Sequence, residues 1–207
     1  PFTIGLLLIV VLTPMFSDEY GKKTDSLLLS AKYGKSKLIK AKIITSFSIA
    51  IFSWLLIQLI NIATIFSLFG IEGSKAFVQN WAVNQSPYAF TYLTSSLAVT
   101  AMSFGGLLFL TSMILFISSR SKTPFISLII SAIIILLPTV HLDIFAGTVV
   151  QKILMFLPTN ILIGVHHFKT FEAFYLFGNV IMLPSAAMAV AGILSILLVM
   201  GAYFSFK

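Results

Sequence analysis

Three histidines, His141, His166 and His167, with Asp143 and Glu172 close to them in sequence, are the side chains of this chain best suited to chemistry. Two imidazoles and a carboxylate can hold a zinc ion and leave a position open for water. The simpler reading is a polar cap on an apolar protein, in which the adjacent His166 and His167 face different ways. Other catalytic patterns fail on context. Gly34-Lys35-Ser36 ends like a phosphate-binding loop, but position 29 is leucine and no strand precedes it. Ser119 and Lys122 have the spacing of a serine acyl-enzyme motif without its companion motifs. There is no G-x-S-x-G and no H-E-x-x-H. The sequence holds no cysteine, so it builds neither a disulfide framework nor a thiolate metal site.

The elements that would position these residues are apolar. Of 207 residues, 58% are hydrophobic and 9% charged, against about a quarter charged in soluble domains. With a mean hydropathy of +1.06, the chain reads as an integral membrane protein built as one domain over residues 1–207. The sequence pI near 9.7 would suit a nucleic-acid binder. That class is excluded, because the excess charge is concentrated in one stretch between two apolar runs.

Five spans are expected, at residues 1–16, 43–69, 89–117, 124–140 and 174–204. The first is short, since 16 residues rise about 24 Å against a hydrocarbon core of about 30 Å. Ser103, Gly105 and Gly106 in the third span, and Ala187 with Ala191 in the fifth, are small residues suited to close helix contact. Pro184 is expected to kink the fifth. Residues 141–171 hold apolar runs too short to cross, broken by Pro158-Thr159-Asn160, and read as re-entrant or interfacial helices. Gln58 and Asn61 lie three apart inside the second span. They suit helix-to-helix hydrogen bonds or, more sharply, a substrate path. No ionisable residue lies in the middle of a clean span, which disfavours an ion-coupled transporter.

The long polar passage, Ser17 to Lys42, carries Lys22, Lys23, Lys32, Lys35, Lys37, Lys40 and Lys42, seven of the 13 basic residues. A lysine-rich loop between spans belongs in the cytoplasm. Tyr20, Thr24, Leu27, Leu28 and Ala31 fall on one helical stripe, with Ser17 as N-cap, Asp18 and Glu19 in the first turn, and a break at Gly34. The spacing predicts an amphipathic cytoplasmic helix over residues 18–33. With this loop inside, ten basic residues fall inside and three outside (Lys75, Lys152 and Lys169). The first span then starts outside, which implies one earlier span and six in all. The lysines also suit contact with anionic lipid.

Span, amphipathic helix with Glu19, Leu27-Leu28, Tyr33-Gly34-Lys35 and Lys40 to Lys42, then span: this order resembles the membrane subunit of a type-2 ABC exporter, over the whole chain as spans two to six. The resemblance implies an all-α membrane fold with a cytoplasmic coupling helix and re-entrant extracellular helices before the last span. It implies a permease that is not itself an enzyme, in a bacterial cytoplasmic membrane. ATP and Mg²⁺ would belong to a separate ATP-binding subunit, with no cofactor on this chain. That subunit would dock through Glu19, Tyr20, Lys22, Lys23, Asp25, Leu27, Leu28 and Gly34. A second permease subunit, identical or related, would complete the dimer. Two rival classes are a channel or secondary transporter, and a membrane-embedded metalloenzyme using His141, Asp143, His166 and His167.

Overall fold

The computed structural model describes residues 2–22, 37–70, 72–78, 87–136, 138, 149–169, 171–176 and 178–206. The chain is mostly helical. Its helices are α1 (Phe2–Leu12), α2 (Pro14–Gly21), α3 (Ile39–Phe69), α4 (Tyr92–Arg120), α5 (Pro124–Leu136), α6 (Val149–Met155), α7 (Pro158–Ile163), α8 (Val165–Lys169) and α9 (Leu183–Phe206). A two-stranded antiparallel hairpin, β1 (Ala173–Leu176) with β2 (Asn179–Met182), precedes α9. Among the described residues, four helical stretches are long and apolar enough to cross a membrane: Thr3–Gly21, Ile39–Leu68, Tyr92–Arg120 and Leu183–Ser205.

The central helix is α4, 29 residues long and so about 43 Å. It starts with a reciprocal cap, in which Thr91 accepts from the Thr94 N–H and the Thr94 hydroxyl accepts from the Thr91 N–H. The other long helices pack around it. One core unites Ile4, Leu8, Ile9 and Leu12 of α1 with Ala50 and Trp54 of α3, Leu107, Leu110 and Ile114 of α4, Ile135 of α5 and Leu162 of α7. The Trp54 indole N–H donates to Ser103 Oγ at 3.1 Å, which satisfies two buried polar groups at once. A second core joins Met102 and Phe109 to Ile161, Ala187 and Ala191.

The small residues act as expected at their contacts. Ala187 and Ala191 are buried against α4. Gly105 abuts Met188, and Gly106 lets the α7 backbone lie directly against α4.

Four boundaries differ from the sequence reading, each for a local reason. The first span continues to Gly21 instead of stopping at Phe16. Pro14 sits at the first turn of α2, where its missing N–H costs nothing, and the Ser17 hydroxyl donates to the Thr13 carbonyl at 2.7 Å, so serine is satisfied inside a helix. Ser17 is therefore buried in mid-helix and is no N-cap. Asp18 and Glu19 occupy the last turn of α2, not the first turn of a coupling helix. The fourth expected span, 124–140, is a helix of 13 residues ending at Leu136, about 20 Å long, and is not one of the four long helices. The fifth begins at Leu183 rather than Phe174, because residues 173–182 form the hairpin. Aromatic and β-branched side chains favour that hairpin, and Gly178 supplies a φ of 81° in its turn. The fold is thus not purely α. Pro184 lies in the first turn of α9, where its missing N–H is tolerated, and not at a kink within the helix.

Candidate functional site

One end of the bundle gathers Lys22, Lys37, Lys40, Lys42, Arg120 and Lys122 from the ends of α2, α3 and α4 and the start of α5. Phe16 of α2, Ile39 of α3 and Leu115 of α4 share a buried cluster there, and Tyr20 and Tyr203 pack on it.

At this basic end α2 and α3 are joined by a half-buried ion pair. Lys42 Nζ lies 2.6 Å from Glu19 Oε1, with both side chains under a fifth exposed. The same ammonium donates to the Met15 carbonyl at 2.5 Å and stands 5.0 Å over the Phe16 ring. One cation thus holds a carboxylate, a backbone carbonyl and an aromatic face of a neighbouring helix. Asp18 pairs with Lys22 at 2.7 Å one turn on, in solvent. The remaining docking residues expected from the sequence, Lys23, Asp25, Leu27, Leu28 and Gly34, lie outside the described residues, as does most of the 18–33 helix. Glu19 and Tyr20 face the bundle, and Lys22 is exposed.

Gln58 is half-buried and Asn61 exposed on α3, in a stretch where every residue from Leu59 to Leu68 is exposed. They do not meet across a helix interface within the chain among the described residues. Ser119 and Lys122 do not meet as a catalytic pair either: the Ser119 hydroxyl donates to the Phe116 carbonyl and Lys122 is exposed.

At the opposite end, the described part of 141–171 forms the three short helices α6, α7 and α8. Residues Pro158 to Leu162 of α7 are buried against α4. Two side chains, one from α7 and one from α8, hold α6 by its last carbonyls. Asn160 Nδ2 donates to the Leu154 carbonyl at 2.7 Å, and His167 Nε2 donates to the Met155 carbonyl at 3.0 Å. Gly164, at φ 72°, makes the turn between α7 and α8. His167 is fully buried and His166 half-buried, so the adjacent histidines do face different ways. Among the described residues no three histidine, cysteine or acidic side chains gather as a metal site. His141 and Asp143 lie outside the described residues. The role of His167 as a helix clamp could not be seen in the sequence, because its partner is a carbonyl 12 residues away.

Burial lowers the His167 pKa to about 4 from 6.5. His166 opposes its protonation further, while the carbonyls of Met155 and Gly164 favour it. Folded protein therefore holds His167 neutral while unfolded chain protonates near 6.5. This contribution is complete above about pH 6.5 and is lost as pH falls toward 4, by up to about 3 kcal/mol. We expect thermal stability to drop over that window and the drop to vanish in His167→Gln, as read by melting at pH 7.5, 5.5 and 4.5. An unchanged drop in that variant would remove His167 as its source.

No family model, no curated protein and no solved structure matches this chain.

Proposed function

We propose that this chain is the membrane-spanning permease subunit of an ATP-driven exporter of the type-2 ABC class, coupled to a separate ATP-binding subunit and paired with a second permease copy. The observation that carries the reading is how the polar segment is mounted. Residues 23–36 are flanked by α2 and α3, two helices joined by Lys42, Glu19 and Met15. A load applied to that segment would pass into both helices together and, through Phe16, Ile39 and Leu115, into α4. The basic end would face the cytoplasm, where charge retains it. The buried α7 plug would close the outer side. ATP and Mg²⁺ would be held by the partner, and this chain would supply the moving path.

The test is whether an ATP-binding cassette protein is encoded in an adjacent reading frame and, with that protein co-expressed, co-purification and ATPase assay in nanodiscs. Lys23→Glu with Asp25→Lys is expected to reduce co-purification or ATP hydrolysis at least about fivefold. Lys22→Ala alone should change little, because a single exposed charge pair is worth about 0–1 kcal/mol. Wild-type association and hydrolysis in the double reversal would refute docking at this segment. Transport without any ATPase partner would favour the channel or secondary-transporter reading.

A further inference from the structure

The break between α1 and α2 is built with unusual care. The helix restarts at Pro14, so the first N–H groups of α2 after it need partners outside their own turn. In a membrane such groups must find partners from neighbouring helices. Ser118 of α4 provides them. Its Oγ accepts from the N–H of Phe16 at 3.1 Å and of Ser17 at 3.2 Å, and its proton goes to the Thr13 carbonyl at 2.7 Å. The Ser17 hydroxyl also donates to that carbonyl, and the Thr13 hydroxyl donates to the Ile9 carbonyl. Thr13, Ser17 and Ser118 are all buried.

Helix α5 brings two more hydroxyls to the same level. It runs antiparallel to α1 and α2: Gly21 lies against Pro124 at one end and Gly5 against Ile135 at the other. Between those points α5 packs on both α1 and α2, and Ser127 and Ser131, one turn apart, fall in the stretch that spans the Thr13–Pro14 joint. Ser127, Ser131 and Ile135 form the buried stripe of α5. The hydroxyls of Ser127 and Ser131 are buried and have no hydrogen-bond partner. A serine in a helix ordinarily satisfies itself on the carbonyl a turn back, as Ser46, Ser112 and Ser121 do here. An idle buried hydroxyl costs stability. Two of them, one turn apart and beside a proline joint, make a second set of acceptors for the same backbone groups.

We infer that the Thr13–Pro14 joint is a two-position hinge: α2 is latched to α4 through Ser118 in this structure, and to α5 through Ser127 and Ser131 in a second position. The swing carries the end of α2, and with it the polar segment, toward α5. The two positions exchange one set of hydrogen bonds for another of the same kind, so they differ little in free energy and a modest load selects between them. The inference deepens the proposed function and rests on it for the driving force, not for the two positions.

The experiment uses the full chain in nanodiscs, without ATPase or substrate, so its failure is separate from that of the exporter reading. The sequence has no cysteine, so Lys22→Cys and Phe204→Cys can each be spin-labelled cleanly. Helix α9 packs on α4, and its Tyr203 lies on the cluster that holds Phe16 of α2, so this distance lengthens as α2 leaves that cluster for α5. Pulsed dipolar spectroscopy is expected to show two distances. Ser118→Ala should deplete the shorter one, shifting the ratio about three- to tenfold, the effect of one buried hydrogen bond. Ser127→Ala with Ser131→Ala should deplete the longer one. Pro14→Ala, which restores the N–H, should leave a single narrow distribution. A single distance in the parent protein, or a ratio moved by neither serine change, overturns the hinge. So does a shift in the same direction from both.

Discussion

Replacing Gly106 with leucine will eject α7 from the bundle and leave a protein that no longer melts cooperatively. A Cβ at Gly106 would stand 2.5 Å from the Leu162 Cα and 2.7 Å from the Ile161 carbonyl carbon, both backbone atoms that no rotamer change can move. Helices α4 and α7 are in contact through their main chains here, as in close small-residue crossings in membranes. Even Gly106→Ala should cost about 3 kcal/mol, at the upper end of overpacking penalties. Gly105→Ala meets only the Met188 thioether and methyl, which can swing aside, and should cost about 1 kcal/mol or less. Gly192→Ala meets nothing within 4 Å and should be neutral. Melting of the three alanine variants in one detergent orders them. Equal stability of the Gly106 and Gly192 variants would show that α7 does not sit where it is described. Because Asn160 of α7 and His167 of the following α8 anchor α6, loss of α7 should also loosen α6, seen as faster amide exchange over Val149 to Met155.

The helices of the bundle were legible in the sequence because long apolar runs leave few other structures possible. Their partners were also partly legible: small residues at Gly105, Gly106, Ala187 and Ala191 marked the two closest approaches, α4 with α7 and α4 with α9. What misled was local chemistry. Ser17-Asp18-Glu19 has the composition of a helix start, yet the Pro14 joint had already restarted the helix three residues earlier, and Ser17 found its acceptor inside it. Phe174 to Met182 has the hydropathy of a span, and only Gly178, with φ 81°, betrays the turn. The pairings that define the candidate site lie far apart in sequence: 23 residues from Glu19 to Lys42, and about 100 from Ser17 to Ser118. Composition and periodicity report on the face a residue occupies, and not on which distant side chain meets it.

Lys42→Met will be the most damaging single charge removal at the basic end. Methionine keeps the length and much of the packing over Phe16, so the change isolates the ammonium. Without it, Glu19 is left as a carboxylate under a fifth exposed, and the Met15 carbonyl beside the proline joint loses its donor. Breaking one side of a fully buried pair costs about 3–5 kcal/mol, and partial exposure here reduces that to about 2–3 kcal/mol. Glu19→Gln should cost less, about 1 kcal/mol, because the amide oxygen still accepts from Lys42. Asp18→Ala, which breaks an exposed pair one turn apart, should fall within about 0.5 kcal/mol. Exchanging the pair, Glu19→Lys with Lys42→Glu, restores the attraction but not the bond to Met15, since a carboxylate cannot donate. Partial rescue is therefore expected, about half of the Lys42→Met loss. Chemical denaturation of these four variants and of Glu19→Lys alone in one lipid mixture measures the series. The same set bears on function: Glu19→Lys alone would set two ammonium groups against each other, so its effect on an ATPase partner reports this clamp before it reports any docking. If the exchanged pair is as unstable as Glu19→Lys alone, α2 and α3 are held by packing and not by this ion pair, and a load on the polar segment has lost its path into α3.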